Sequence, residues 1–129
     1  MPVKFKVTPH KDPRDQHSPP RYYARVKSSG RSDTHAIARR IQRMSTVSSV
    51  DTAAVLEAFL SVIPGELAAG QIVELGDFGT FRVSLSSAGE EKAEDVTART
   101  ITEVRVLFTP GKRFAQALND VQFQKEPIH

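Results

Sequence analysis

Cysteine and tryptophan are absent from this 129-residue chain, and tyrosine occurs twice. Without cysteine there is no disulfide framework and no thiolate metal site, a composition that suits a reducing interior. No apolar run reaches 18 residues, so no membrane-spanning helix is expected. The opening residues, Met1-Pro2-Val3-Lys4-Phe5-Lys6, lack the apolar stretch of a secretory signal. Catalytic constellations are missing as well. His10, His17, His35 and His129 show neither metal-ligand spacing nor a neighbouring nucleophile, and read as surface groups. Glu90, Glu91, Glu94 and Asp95 lack the glycine-containing loop pattern of a calcium site. No cofactor, metal, membrane or enzymatic reaction is therefore expected.

What the chain does have is a charge gradient. Residues 1–50 carry eleven Lys/Arg against Asp12, Asp15 and Asp33, a balance of +8, whereas residues 51–129 carry seven basic against twelve acidic groups, a balance of −5. A basic half attracts polyanions, nucleic acid above all; the plain alternative is a solvated face without a partner. The length and a hydrophobic share of 39% fit one domain with an appended segment.

Val3, Phe5 and Val7 alternate with Lys4 and Lys6, the period-2 pattern of a half-buried strand. Residues 8–20 hold Pro9, Pro13, Pro19 and Pro20 among polar groups and read as a loop. Residues 21–27 alternate again, so the two segments are expected to pair as a hairpin or to extend another sheet, with residues 28–32 as a linker. Asp33 suits the N-cap of a first helix through about Met44, with Ile37, Ile41 and Met44 in one stripe and Arg39, Arg40 and Arg43 elsewhere. Ser48 or Ser49 caps a second helix over residues 50–69, ended by Gly70. Its Val55, Leu56, Phe59, Leu60, Val62, Ile63 and Leu67 cover too much circumference for one face, which implies a second subunit. Pro64 removes a hydrogen bond and crowds the Leu60 carbonyl, so a kink is expected. Strands are expected over residues 71–75, 80–85 and 100–108, with Phe81, Val83 and Leu85 on one face and Val104, Val106 and Phe108 sharing another. A last helix from Pro110 to about Val121 should bury Phe114, Ala117 and Leu118, leaving a frayed tail.

Two phrases concentrate the information. In Val73-Glu74-Leu75-Gly76-Asp77-Phe78-Gly79-Thr80-Phe81-Arg82-Val83, glycines flank Asp77-Phe78 between β-rich runs, as a tight turn with φ > 0 requires. In Phe108-Thr109-Pro110-Gly111-Lys112-Arg113, Pro110 sits where a helix would begin, with Thr109 as N-cap and Gly111-Lys112 in the first turn. Such a start offers backbone N–H groups, a positive dipole end and two cations to a phosphate.

Together the phrases resemble the bacterial histone-like HU/IHF family from Asp33 to Asn119. The resemblance implies an α+β fold: two helices, a three-stranded antiparallel sheet with a protruding arm, and a closing helix, in an intertwined homodimer. To this the chain adds an N-terminal β-hairpin. Residues 1–32 then form an extension, 33–122 an HU-like DNA-binding domain, and 123–129 a tail. Phe59, Phe78, Phe81 and Phe108 resemble the family's dimer core, with intramolecular packing as the alternative. The implied partner is double-stranded DNA, bound largely without sequence preference by Gly111, Lys112, Arg113, Arg39, Arg40, Arg43, Arg82, Arg99, Arg105 and Lys92. The implied setting is cytoplasmic, at the nucleoid.

The arm departs from the family. Relatives carry basic arms, often with an Asn-Pro tip that wedges between base pairs. Residues 84–100 contain no proline, and set Lys92 and Arg99 against four carboxylates. Phosphates should repel such an arm, which argues against strong bending. This supports an alternative reading, an HU-derived protein-interaction or structural module that kept the dimer but lost DNA bending or DNA binding, and whose N-terminal extension meets a protein partner.

Overall fold

The computed structural model describes residues 2–127; His129 lies outside them. The chain divides into two compact units, one of residues 34–116 and one combining residues 1–33 with 117–129.

In the unit of residues 34–116, helix α1 (Thr34–Met44) packs against helix α2 (Ser49–Ala68). Ser48 is the N-cap of α2: its side chain accepts from the Asp51 N–H at 3.2 Å. The buried Thr52 hydroxyl donates to the Ser48 carbonyl at 2.8 Å. At the other end the Gln71 N–H reaches the Glu66 carbonyl (3.0 Å) and the Gly70 N–H reaches that of Leu67 (3.0 Å). This paired closure needs a left-handed residue after the helix, and Gly70 supplies it with φ +86°. Helix α2 continues through Pro64 to Ala68 as one element.

A three-stranded antiparallel sheet follows in the order β3-β4-β5: β3 (Val73–Glu74), β4 (Gly79–Ser87) and β5 (Ile101–Pro110). The first of these is shorter than the expected 71–75. Register sets Phe81 opposite Phe108, Val83 opposite Val106 and Leu85 opposite Val104, so the two expected apolar faces are one face. Residues 88–100 join β4 to β5 through two short 3-10 turns, Ala93–Asp95 and Ala98–Thr100. The second is ordered by the Thr97 and Thr100 side chains, each accepting from the other's stretch of backbone. The arm thus carries local structure.

The closing helix α3 (Lys112–Asn119) begins two residues later than expected, because β5 extends through Thr109 and Pro110. Pro110 therefore ends a strand, opposite Gly79, and neither Thr109 nor Pro110 caps the helix. Leu118 is exposed rather than buried.

The other unit is a second three-stranded sheet, β2-β1-β6. Strand β1 (Val3–His10) pairs antiparallel with β2 (Arg21–Lys27), as the alternation suggests, but runs on through Thr8 and Pro9 into the expected loop. The described part of the tail is also structured: β6 (Phe123–Lys125) lies parallel to Val3–Phe5 of β1, and the Glu126 N–H donates to the Phe5 carbonyl at 2.8 Å. Lys27 and Glu126 form an ion pair. No helix among the described residues is long and apolar enough to cross a membrane.

Candidate nucleic-acid interface

The two phrases singled out in the sequence form one structural unit. The Phe78 N–H donates to the Leu75 carbonyl (3.1 Å) and the Leu75 N–H to that of Gly79 (2.9 Å), closing the turn between β3 and β4. Gly76 (φ +56°) and Gly79 (φ +147°) take conformations that a side chain disfavours. The turn's outward carbonyls then receive the start of α3: the Gly111 N–H donates to Phe78 (2.9 Å) and the Arg113 N–H to Asp77 (3.0 Å). A Cβ on Gly111 would come within 2.6 Å of the Asp77 carbonyl carbon. Two of the N–H groups that a helix start leaves unpaired are thus engaged inside the chain. The expectation of an open amide cradle is corrected accordingly, and the cations Lys112 and Arg113, both exposed, are what this site presents.

Aromatic packing fixes the joint from beneath. Phe78 meets Phe114 at 4.9 Å and Phe108 at 5.7 Å between ring centroids, and Phe108 meets Phe81 at 4.6 Å and Phe114 at 5.5 Å. The Phe108–Phe114 contact is edge-to-face, a favoured arrangement for aromatic pairs, and the other three are tilted. Three of the four expected core phenylalanines therefore meet within the chain, joined by Phe114. Phe59 instead lines an apolar concavity of about 280 Å³ with Ile41, Val47, Val55 and Leu56.

The other expected contacts fall into three places. Arg39, Arg40 and Arg43 are exposed on α1, within an arc of about 100° at 3.6 residues per turn, away from Ile37, Ile41 and Met44. Arg82 and Arg105 share the sheet face opposite the apolar one. Arg105 is partly engaged, donating to Ser86 Oγ at 2.9 Å and pairing with Glu103 at 3.4 Å. Lys92 and Arg99 lie on the arm among Glu90, Glu91, Glu94 and Asp95. Among the described residues, no three His, Asp or Glu side chains gather in a metal-holding group.

This architecture matches known proteins. The chain fits the family HU-HIG, described as an HU domain fused to wHTH, Ig, or glycine-rich motif, over residues 1–125, and it belongs to that family. A crystal structure of a "Putative bacterial DNA binding protein" from Bacteroides vulgatus superposes with a TM-score of 0.67 at 18% identity. The match covers 98% of this chain and 50% of that one, so the chain spans half the length of the protein it resembles. No curated protein matches the sequence.

Proposed function

We propose that this chain is a non-enzymatic, histone-like protein that binds the backbone of double-stranded DNA as a homodimer, largely without regard to sequence, in the cytoplasm at the nucleoid. The observation that carries the reading is the exposed Lys112–Arg113 pair on a helix start bolted to the Gly76–Gly79 turn. Long cations on a rigid base meet phosphates with little ordering cost, and phosphate contacts carry no sequence information. Arg39, Arg40 and Arg43 extend the footprint, Arg82, Arg105, Lys92 and Arg99 flank it, and Gly111 serves by permitting the close joint. In this proposal residues 33–122 are the DNA-binding domain, residues 1–32 an extension open to a further partner, and residues 123–129 a tail.

The homodimer is supported by what one chain leaves uncovered. Leu67 and Thr52 are the buried side chains among the described residues, whereas Phe59 is 44% exposed, Val62 57% and Val106 60%. Apolar surface on this scale marks an interaction surface. Phe59, Phe78, Phe81 and Phe108 are the proposed dimer core.

The test is a mobility-shift titration with linear, nicked and pre-bent duplexes at several salt concentrations. Log affinity should fall linearly with log salt and differ little among sequences. Salt-independent binding, or none at low salt, refutes the proposal.

A further inference from the structure

Register divides the β2-β1-β6 sheet into two unlike faces. Phe5, Val7, Ala24 and Val26 share one, where Phe5, Ala24, Val26 and Phe123, with part of Arg25, line a common concavity. The opposite face carries Lys4 across from Lys27, Lys6 across from Arg25, Thr8 across from Tyr23, and His10 across from Arg21. The edge-to-face contact of His10 with Tyr23, at 6.1 Å between centroids, agrees with their sharing that face. Like charges directly opposite each other on neighbouring strands are destabilising. Here two such pairs stand in succession, and among the described residues Glu126 pairs with one of their four cations, Lys27. The nearest loop acids, Asp12 and Asp15, are turned onto their own backbone, accepting from the N–H groups of Arg14 (2.9 Å) and His17 (3.0 Å).

A sheet face that sets cation against cation is arranged for an anion along its length. Alternate residues of a strand recur every ~6.8 Å and neighbouring strands lie ~4.8 Å apart, so the cations form a two-row track. Tyr23 stands in the same track with half of its surface exposed, beside an open concavity of about 560 Å³ lined by His10, Arg21 and loop residues that include Asp12 and Asp15. Backbone-tracking cations with an interleaved aromatic ring are the combination that holds unpaired nucleotides. We propose that this face is a second nucleic-acid surface, one that takes a single strand, with Lys4, Lys6, Arg25 and Lys27 along the phosphates and Tyr23 stacking on a base. It lies on the other compact unit, and the proposal does not depend on the duplex footprint.

The experiment uses the whole chain, a labelled oligo-dT of about twelve nucleotides and a duplex of matching length, followed by anisotropy across a salt series. Each phosphate contact on a single strand contributes about 0.7 to the slope of log affinity against log salt, so Lys4→Ala with Lys6→Ala and Arg25→Ala should flatten the oligo-dT slope by about 2. The same variant, relieved of like-charge pairs, should melt at a higher temperature than the native chain when no nucleic acid is present. The single change Lys6→Gln should flatten the slope by about 0.7. Tyr23→Leu should weaken oligo-dT about tenfold with its slope unchanged. Lys112→Ala with Arg113→Ala should leave oligo-dT binding as it was while flattening the duplex slope, so either surface can fail without the other. An oligo-dT slope untouched by the sheet variants removes this face from the phosphate track. Native oligo-dT affinity in Tyr23→Leu overturns the single-strand assignment.

Discussion

A single added methyl group tests whether the joint between turn and helix is built as described. In Gly111→Ala the new Cβ meets the Asp77 carbonyl, 2.6 Å from its carbon and 3.0 Å from the carbonyl carbon of Phe78. Both obstacles are backbone, so no side chain can swing aside. Relief requires the start of α3 to lift off the turn, breaking the Gly111–Phe78 and Arg113–Asp77 hydrogen bonds together. Two backbone bonds at about 1 kcal/mol net each, plus looser packing of Phe114 on Phe78, give a loss of about 2–4 kcal/mol. Gly65→Ala is the matched control: its Cβ finds nothing within 4 Å, and alanine favours a helix interior by about 0.5–1 kcal/mol. Denaturant unfolding of both variants should therefore move in opposite directions. A Gly111→Ala chain within about 0.5 kcal/mol of native refutes the joint.

Three further outcomes bear on the proposed function. Phe59→Asp should abolish folding and assembly together, since it places a carboxylate in the proposed dimer core; sedimentation of the native chain as a stable folded monomer at micromolar concentration would sink that reading. Replacing Lys112 and Arg113 by alanine should weaken all duplexes about equally and reduce the duplex salt slope by about 2, measured by titration across a salt series. Deleting residues 90–95 should leave duplex affinity unchanged or raise it, because the segment carries four carboxylates and no apolar wedge. Energy transfer between duplex ends that reports a sharp bend, lost on this deletion, would refute the account of the arm.

Elements set by local signals were legible in the sequence. Ser48 and Gly70 bound α2 because capping and left-handed closure depend on nearby residues alone. The faces of β4 and β5 followed from a side-chain period of two. What escaped notice depends on partners distant in sequence. Strand β6 has little pattern of its own in three residues and exists through pairing with β1, more than a hundred positions away. Pro9 marks a loop by composition, yet β6 reaches only Phe5, so beyond it β1 is a sheet edge, where a missing N–H is tolerated. Thr109-Pro110 reads as a helix start, but the carbonyls of Asp77 and Phe78 satisfy the following N–H groups, and β4 holds the proline in register. The site residues were legible as charges and not as an arrangement. That Arg105 is partly tied to Ser86, or that Lys4 and Lys6 face Lys27 and Arg25, follows from register alone.

The aromatic joint and the uncovered apolar surface belong to one argument about stability. Phe78, Phe81, Phe108 and Phe114 tie the turn, the sheet and the closing helix together, but Phe78 remains 40% exposed and Phe108 36%. With Leu67 as the buried hydrophobic residue among those described, apolar burial within one chain is small against the conformational entropy lost on folding. On the dimer proposal, the missing burial comes from the second copy, over α2 and the Phe81–Val83–Leu85 face. Folding and association then become a single equilibrium, and the melting temperature must rise with protein concentration. The proposed DNA-contacting cations would inherit that dependence, because the joint that positions Lys112 and Arg113 is built from the same phenylalanines assigned to the proposed dimer core. A melting temperature that stays constant over a hundredfold range of about micromolar concentrations would separate the two, and would return the phenylalanine cluster to intramolecular packing alone.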